Sequence, residues 1–285
     1  MLHAPRFLRS HLLSSLTPAR VARGVLLTLA LGMPGVAHAA SGVSVDVSRV
    51  ELAAQPGATI NHAVTVQNPA RSGEAAMVVQ PYLRDFVLPP SGQAQFLSPG
   101  SSKNSLARWL QFTPAQFTLA PGQKQQVRYT VQVPPGTPPG LYWGVLFFRS
   151  DAPYGAGLKG DNGVSINYAI DVGQIIYVQV GTPSLTAQLS GVGASYAAGQ
   201  LSVSASVKNT GSSLVRAAGR AQVVDSQGKT VATLPIDESV ALPGYTRTFS
   251  GNAGAALAPG QYQVLIALQY AKGKFFTGQT GLVVK

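Results

Sequence analysis

The stretch LAPGQKQQVRYTVQVPPGTPPGLYWGVLFFR, residues 119–149, decides the fold class. Pro121-Gly122 makes a turn, because proline presets one dihedral and glycine accepts the positive φ that follows. Val127, Tyr129, Val131 and Val133 then alternate with Arg128, Thr130 and Gln132, the two-residue period of a half-buried strand. Pro134, Pro135, Pro138 and Pro139 end that run, since proline offers no ladder donor, and Gly140 opens the next. Leu141 to Phe148 (LYWGVLFF) is nearly continuous apolar sequence, as expected of a strand at the centre of a sandwich core.

The same punctuation extends outward in both directions. Val43 to Leu52 reads as a first strand with Val43, Val45 and Val47 on one face. Pro56-Gly57 turns the chain, Ile60 to Gln67 alternates, and Asn68-Pro69 starts another turn. Met77, Val79, Tyr82 and Leu83 are interrupted by Pro81, which predicts an edge or bulged strand. Residues 87–105 and 151–163 read as long loops, with a short strand or helical turn over Leu106 to Phe112. Val164 to Val180 is an unusually long strand.

The second half repeats this logic. Leu201 to Val207 leads to Asn209-Thr210-Gly211-Ser212 as Ala63 to Gln67 leads to Asn68-Pro69-Ala70-Arg71-Ser72. Leu257-Ala258-Pro259-Gly260-Gln261 matches Leu119-Ala120-Pro121-Gly122-Gln123. About seven short strands per half, with no sustained 3.6-residue period, predict an all-β protein of two tandem immunoglobulin-like sandwiches. The expected halves are residues 40–181 and 182–285.

Residues 1–39 have the form of a signal peptide. Arg6, Arg9, Arg20 and Arg23 form a basic leader, Val25 to Leu31 an apolar segment too short to span a bilayer, and Ala37-His38-Ala39 a small-x-small cleavage site. The expected address is the periplasm or cell envelope, with membrane contact only through the transient leader. The formal charge is +11; removing the leader takes four of the 21 basic residues and none of the ten acidic ones, leaving +7. That charge is scattered among strands, and no arginine-rich run or aromatic RNA-binding motif accompanies it, so nucleic acid is not an expected partner. The chain has no cysteine, and its stability must come from burial.

The residues do not suggest an enzyme. Once the leader is removed His62 is the one histidine left, and it sits in an alternating strand without a nucleophile at a useful spacing. No cluster of His, Cys or carboxylates suggests a metal, and no cofactor is implied. Asp161-Asn162-Gly163 reads as a tight turn rather than a calcium loop, which would need further ligands and a terminal glutamate.

Two features point instead to recognition. Val164, Ile166, Tyr168, Ile170 and Val172 form an apolar row on the long strand. Such a row either completes its own core or enters a partner's sheet, where main-chain bonds supply affinity and alternate pockets specificity. Arg49, on the first strand, carries a guanidinium able to grip a carboxylate with two hydrogen bonds, or is simply a solvated edge residue. A different reading, a structural or adhesive envelope module binding cell-wall polysaccharide or a surface protein, draws on Tyr82, Trp109 and Tyr154 near the two long loops.

Together these residues resemble the periplasmic pilus (fimbrial) chaperones. The strand VSVDVSRVEL is similar to the start of that family's first domain, and Leu119 to Val133 to its LxPGxxxxVR element. The resemblance covers mainly residues 43–180. It implies that Arg49 stands where the family keeps an arginine for the subunit carboxylate, and that the strand Val164–Val180 is lent to a secreted or pilus subunit. Gln174 aligns where the family places a lysine, a departure that removes the second cation. The run PPGTPPGLYWGVLFF is also similar, more weakly, to domains of WxL-interacting surface proteins, which implies a binding module without pilus assembly.

Overall fold

The computed structural model describes residues 42–151 and 169–285, and within them the long apolar alternations fall in strands. The expected leader lies outside the described residues. Among the described residues there is no helix. In chain order the first sandwich holds β1 (Ser44–Val45), β2 (Arg49–Ala54), β3 (Thr59–Gln67), β4 (Met77–Val87), β5 (Gln95–Leu97), β6 (Leu110–Thr113), β7 (Phe117–Leu119), β8 (Lys124–Gln132), β9 (Gly140–Asp151) and β10 (Ala169–Val180). One sheet has the order β1-β3-β8-β6, the other β2-β10-β9-β4-β5, with β7 also on β4.

Val64, Val66, Val127, Tyr129 and Val131 from the first sheet meet Val79, Leu146, Phe148, Ile176 and Val178 from the second. Each such side chain contributes about 1.5–3 kcal/mol on burial. The other face of β9 is covered as well. Trp143, Val145 and Phe147 pack with Phe86, Tyr177 and Leu242, the last from the second sandwich. Burial on both faces is why the LYWGVLFF run shows no alternation.

The expected single first strand is two. Val43 and Val45 face the core from positions of odd parity, whereas Val50, Leu52 and Ala54 face it from even ones. A straight strand cannot bury both sets, because its side chains alternate strictly. The chain therefore leaves the first sheet after β1, exposes Val47, and joins the second sheet as β2. The segment from Leu106 is both things expected of it: a turn, with Leu110 N–H donating to Leu106 C=O at 3.1 Å, then strand β6.

The second sandwich comprises β11 (Ala187–Ala197), β12 (Gln200–Asn209), β13 (Val215–Val224), β14 (Thr230–Ala241), β15 (Thr246–Gly254), β16 (Gly260–Ala271) and β17 (Lys274–Val284). Its sheets are β11-β12-β15 and β14-β13-β16-β17. The internal repeat is present, but one match moves. Buried Asn68 donates to Leu119 C=O at 3.0 Å and accepts from Gly122 N–H through its own carbonyl at 3.0 Å. Asn209 does the same with Ala241 (2.8 Å) and Gly244 (3.0 Å). The counterpart of the Pro121-Gly122 turn is thus Pro243-Gly244, where glycine again has positive φ. Pro259-Gly260 instead matches Pro139-Gly140: Tyr262 donates to Ala258 C=O at 2.8 Å as Tyr142 donates to Pro138 C=O at 3.1 Å. The Pro-Gly dipeptide alone does not distinguish a turn from a strand entry; the tyrosine two positions later does.

Candidate functional site

The second sheet of the first sandwich ends unevenly. β10 pairs with β9 along its whole length, from Ala169 opposite Asp151 to Val180 opposite Gly140. On its other side β2 begins only at Arg49, opposite Ile175. From Ala169 to Gln174 no strand among the described residues covers that border. Ile175 N–H points toward β2 and donates to Ser48 C=O at 2.8 Å. Main-chain groups alternate along a strand, so Gly173, Asp171 and Ala169 turn theirs to the same, unpaired side.

Where β2 stops is fixed by the sheet crossing. Gln174 is fully buried, and its Nε2 donates to Val47 C=O at 2.9 Å, tying the crossing point to β10. Its Oε1 has no protein partner among the described residues. Ile170 and Val172 are half-buried, in line with the fully buried Ile176, Val178 and Val180. Val172 packs on the core, and the backbone at Gly42 runs close against Ile170. Val164, Ile166 and Tyr168 lie outside the described residues.

The opposite face of this border is polar at one position and crowded at the next. Asp171 accepts from Arg149 twice, from Nε at 3.0 Å and Nη2 at 2.8 Å. Those bonds hold its carboxyl below the usual range. The same guanidinium lies 5.2 Å from the centre of the Tyr82 ring. Beside it, Val145 and Phe147 lean over Gly173, where a Cβ would sit 2.7 Å from Val145 Cγ2 and 2.9 Å from Phe147 Cε1.

Arg49 belongs to a different constellation. Its Nε lies 3.5 Å from Glu51 Oε1. Glu51 also accepts from Arg216 of the second sandwich, whose other nitrogen donates to Glu238 at 2.7 Å. Next to these charges burial pushes the Tyr177 hydroxyl up to about 12. Arg49 faces outward and Gln174 inward, so the structure does not bring these two together. The Arg149–Asp171 and Glu51–Arg216 pairs were not found by sequence reasoning. The first depends on the register of β9 against β10, 22 residues apart, and the second on the packing of two sandwiches, 165 residues apart, and neither leaves a local signal.

The loop aromatics are mostly engaged. Trp109 packs on Tyr142 at 4.4 Å and Tyr82 stacks on Phe147 at 5.4 Å, while Phe96 on β5 is 53% exposed. Tyr154 lies outside the described residues. His62 is on β3, its ring 5.4 Å from that of Tyr129. Among the described residues no three His, Asp or Glu side chains gather as metal ligands.

No protein-family model matches the sequence, and no curated protein matches it. In fold the chain is similar to solved pilus-chaperone structures. A chain of the chaperone–tip adhesin complex of CFA/I fimbriae biogenesis shares 13% identity, covering 84% of this chain and 99% of that one, with a TM-score of 0.46. The YadV chaperone gives 13%, 84%, 99% and 0.41. The Escherichia coli chaperone DraB gives 15%, 86%, 96% and 0.38.

Proposed function

We propose that this is an exported, non-enzymatic, chaperone-like protein of the periplasm or cell envelope. It holds an extended segment of a secreted or pilus subunit as an added strand beside β10. One observation carries the reading: β2 covers only Ile175 to Val180, leaving the border from Ala169 to Gln174 without a strand among the described residues. A partner strand there meets the main-chain groups of Ala169, Asp171 and Gly173, and its inward side chains extend the row of Ile170 and Val172. Main-chain bonding gives affinity for any extended segment, and the half-buried row selects apolar residues at alternate positions. Val164, Ile166 and Tyr168 complete the proposed contact row, which Arg49, opposite Ile175, and the buried Gln174 bound at its end. A natural border of this kind is a hazard in a free protein, which fits a site kept for a partner.

A photo-crosslinking residue at Ala169 in the full chain tests this in the native host. An exported protein is expected to form an adduct through an extended, alternating apolar segment. Asp171→Pro, which removes one N–H from the border, and Ile170→Asp should each reduce that adduct at least about fivefold. No adduct, or one untouched by both substitutions, removes strand addition as the mechanism.

A further inference from the structure

The outward face of the second sandwich's four-stranded sheet has a chemistry that strand capture leaves unused. Along β16 the outward residues are Gln261, Gln263, Leu265, Ala267 and Gln269; along β17 they are Phe275, Thr277, Gln279, Gly281 and Val283. None is charged, although about a quarter to a third of an ordinary domain surface is. Register brings β13 into the same plane, with Gln222 opposite Leu265 and Leu265 opposite Gln279. One row further, Arg220 lies opposite Ala267, and Ala267 opposite Thr277. These six residues line an open depression of about 480 Å³.

The amides are free. Gln269 donates to Ala271 C=O at 3.2 Å, but the side chains of Gln222, Gln261, Gln263 and Gln279 bond no protein group among the described residues. Small Ala267 forms the floor between them, and at Gly281 a Cβ would have nothing within 4 Å. Strand spacing sets neighbours within a row about 4.8 Å apart, close to the span of one sugar ring. Leu265 and Phe275 stand 38% and 52% exposed, apolar footing between the polar groups.

We infer that this face binds a neutral, hydroxyl-rich glycan. Each glutamine offers donors and an acceptor together, and a sugar hydroxyl uses both. The occupants compete on that chemistry. An apolar protein surface would bury the amides without partners. In the depression a cationic ligand meets only Arg220, and a polyanion would find that one cation but leave the amide oxygens without donors. The depression is on the second sandwich and the inference is independent of capture at β10.

The test is native electrophoresis of the full-length protein through gels containing hydroxyethyl cellulose, a soluble β-1,3-glucan, dextran or galactomannan, with polygalacturonate as the acidic comparison. At least one neutral glycan should retard the protein. The double variant Gln222→Ala, Gln279→Ala should weaken that binding about tenfold or more, with its unfolding midpoint unchanged. The inference is overturned if no neutral glycan retards the protein, if polygalacturonate alone does, or if the double variant binds as well as the parent. It is also overturned if the substitutions change only self-association. Adduct formation from Ala169 should be indifferent to both substitutions, which separates this inference from the proposed function.

Discussion

Replacing Asn209 by alanine tests the interlock that closes the second sandwich. Asn209 is fully buried, and its Nδ2 donates to Ser213 C=O and Ala241 C=O, each at 2.8 Å, while its Oδ1 accepts from Gly211 N–H at 3.0 Å. Alanine leaves three main-chain groups without that partner. The Ala241 carbonyl lies in a buried bond and costs about 2 kcal/mol when stranded; Ser213 and Gly211 are partly reached by water and cost about 0.5–1 kcal/mol each. The expected loss is about 3–4 kcal/mol. Asn68→Ala breaks two bonds, to Leu119 C=O and from Ala70 N–H, and should cost about 2–3 kcal/mol. Urea unfolding read by circular dichroism measures both. Tryptophan fluorescence reports the first core through Trp109 and the contact between the sandwiches through Trp143, which packs in one cluster with Leu242. Both substitutions should therefore move the dichroism transition, and both should also reach the fluorescence one, Asn68→Ala through the first core and Asn209→Ala through Leu242 beside Trp143. A loss below about 1 kcal/mol at Asn209 would refute the assignment of that side chain as the turn's anchor.

Other perturbations separate strong from weak contacts. Gly219→Ala drives a Cβ into the Ala267 carbonyl oxygen, a backbone atom that cannot swing aside, and should cost about 2–3 kcal/mol in urea; Gly281→Ala meets open space and should be neutral or slightly stabilising. Glu51→Gln breaks a half-exposed network and should change stability by less than about 1 kcal/mol, with the difference shrinking in high salt. Carboxyl NMR should place the Asp171 midpoint below its ordinary 3.8, and Arg149→Gln should return it there. A depressed acid contributes stability above the unfolded pKa and loses it as pH falls through the folded one, so the pair matters above about pH 4 and fades below. Tyr177 has the opposite sign: its contribution is complete below pH 10.0 and is lost as pH rises toward about 12, and Tyr177→Phe should flatten that alkaline decline.

What could be read in advance follows from the range of the forces involved. Strands such as β3, β8 and β12 were legible because alternation is local, and the doubly covered β9 because its apolar run is unbroken. The pairing of turns with buried asparagines was half legible: Asn68 and Asn209 matched, whereas the partner of Pro121-Gly122 was misplaced by a dipeptide that serves two purposes. The sheet crossing after β1 was written in the parity change from Val45 to Val50, but parity becomes evidence only when two sheets compete for one strand. Arg49 was visible as a cation on a strand. Its partner Glu51, two residues on, was not joined to it, and Arg216, which shares that carboxylate, lies 165 residues from Glu51 and is brought within reach only by the packed sandwiches.

The parallel pairing of β2 with β10 has a consequence for how the molecule is made. Ile175 must find Arg49 across more than a hundred intervening residues, an entropically expensive closure that local turns cannot prepare. One of the earliest strands to leave the ribosome is thus among the last to be seated. Until residue 180 has been synthesised, both halves of this clasp are sticky ribbons, and the cell must carry the chain through that interval unaggregated.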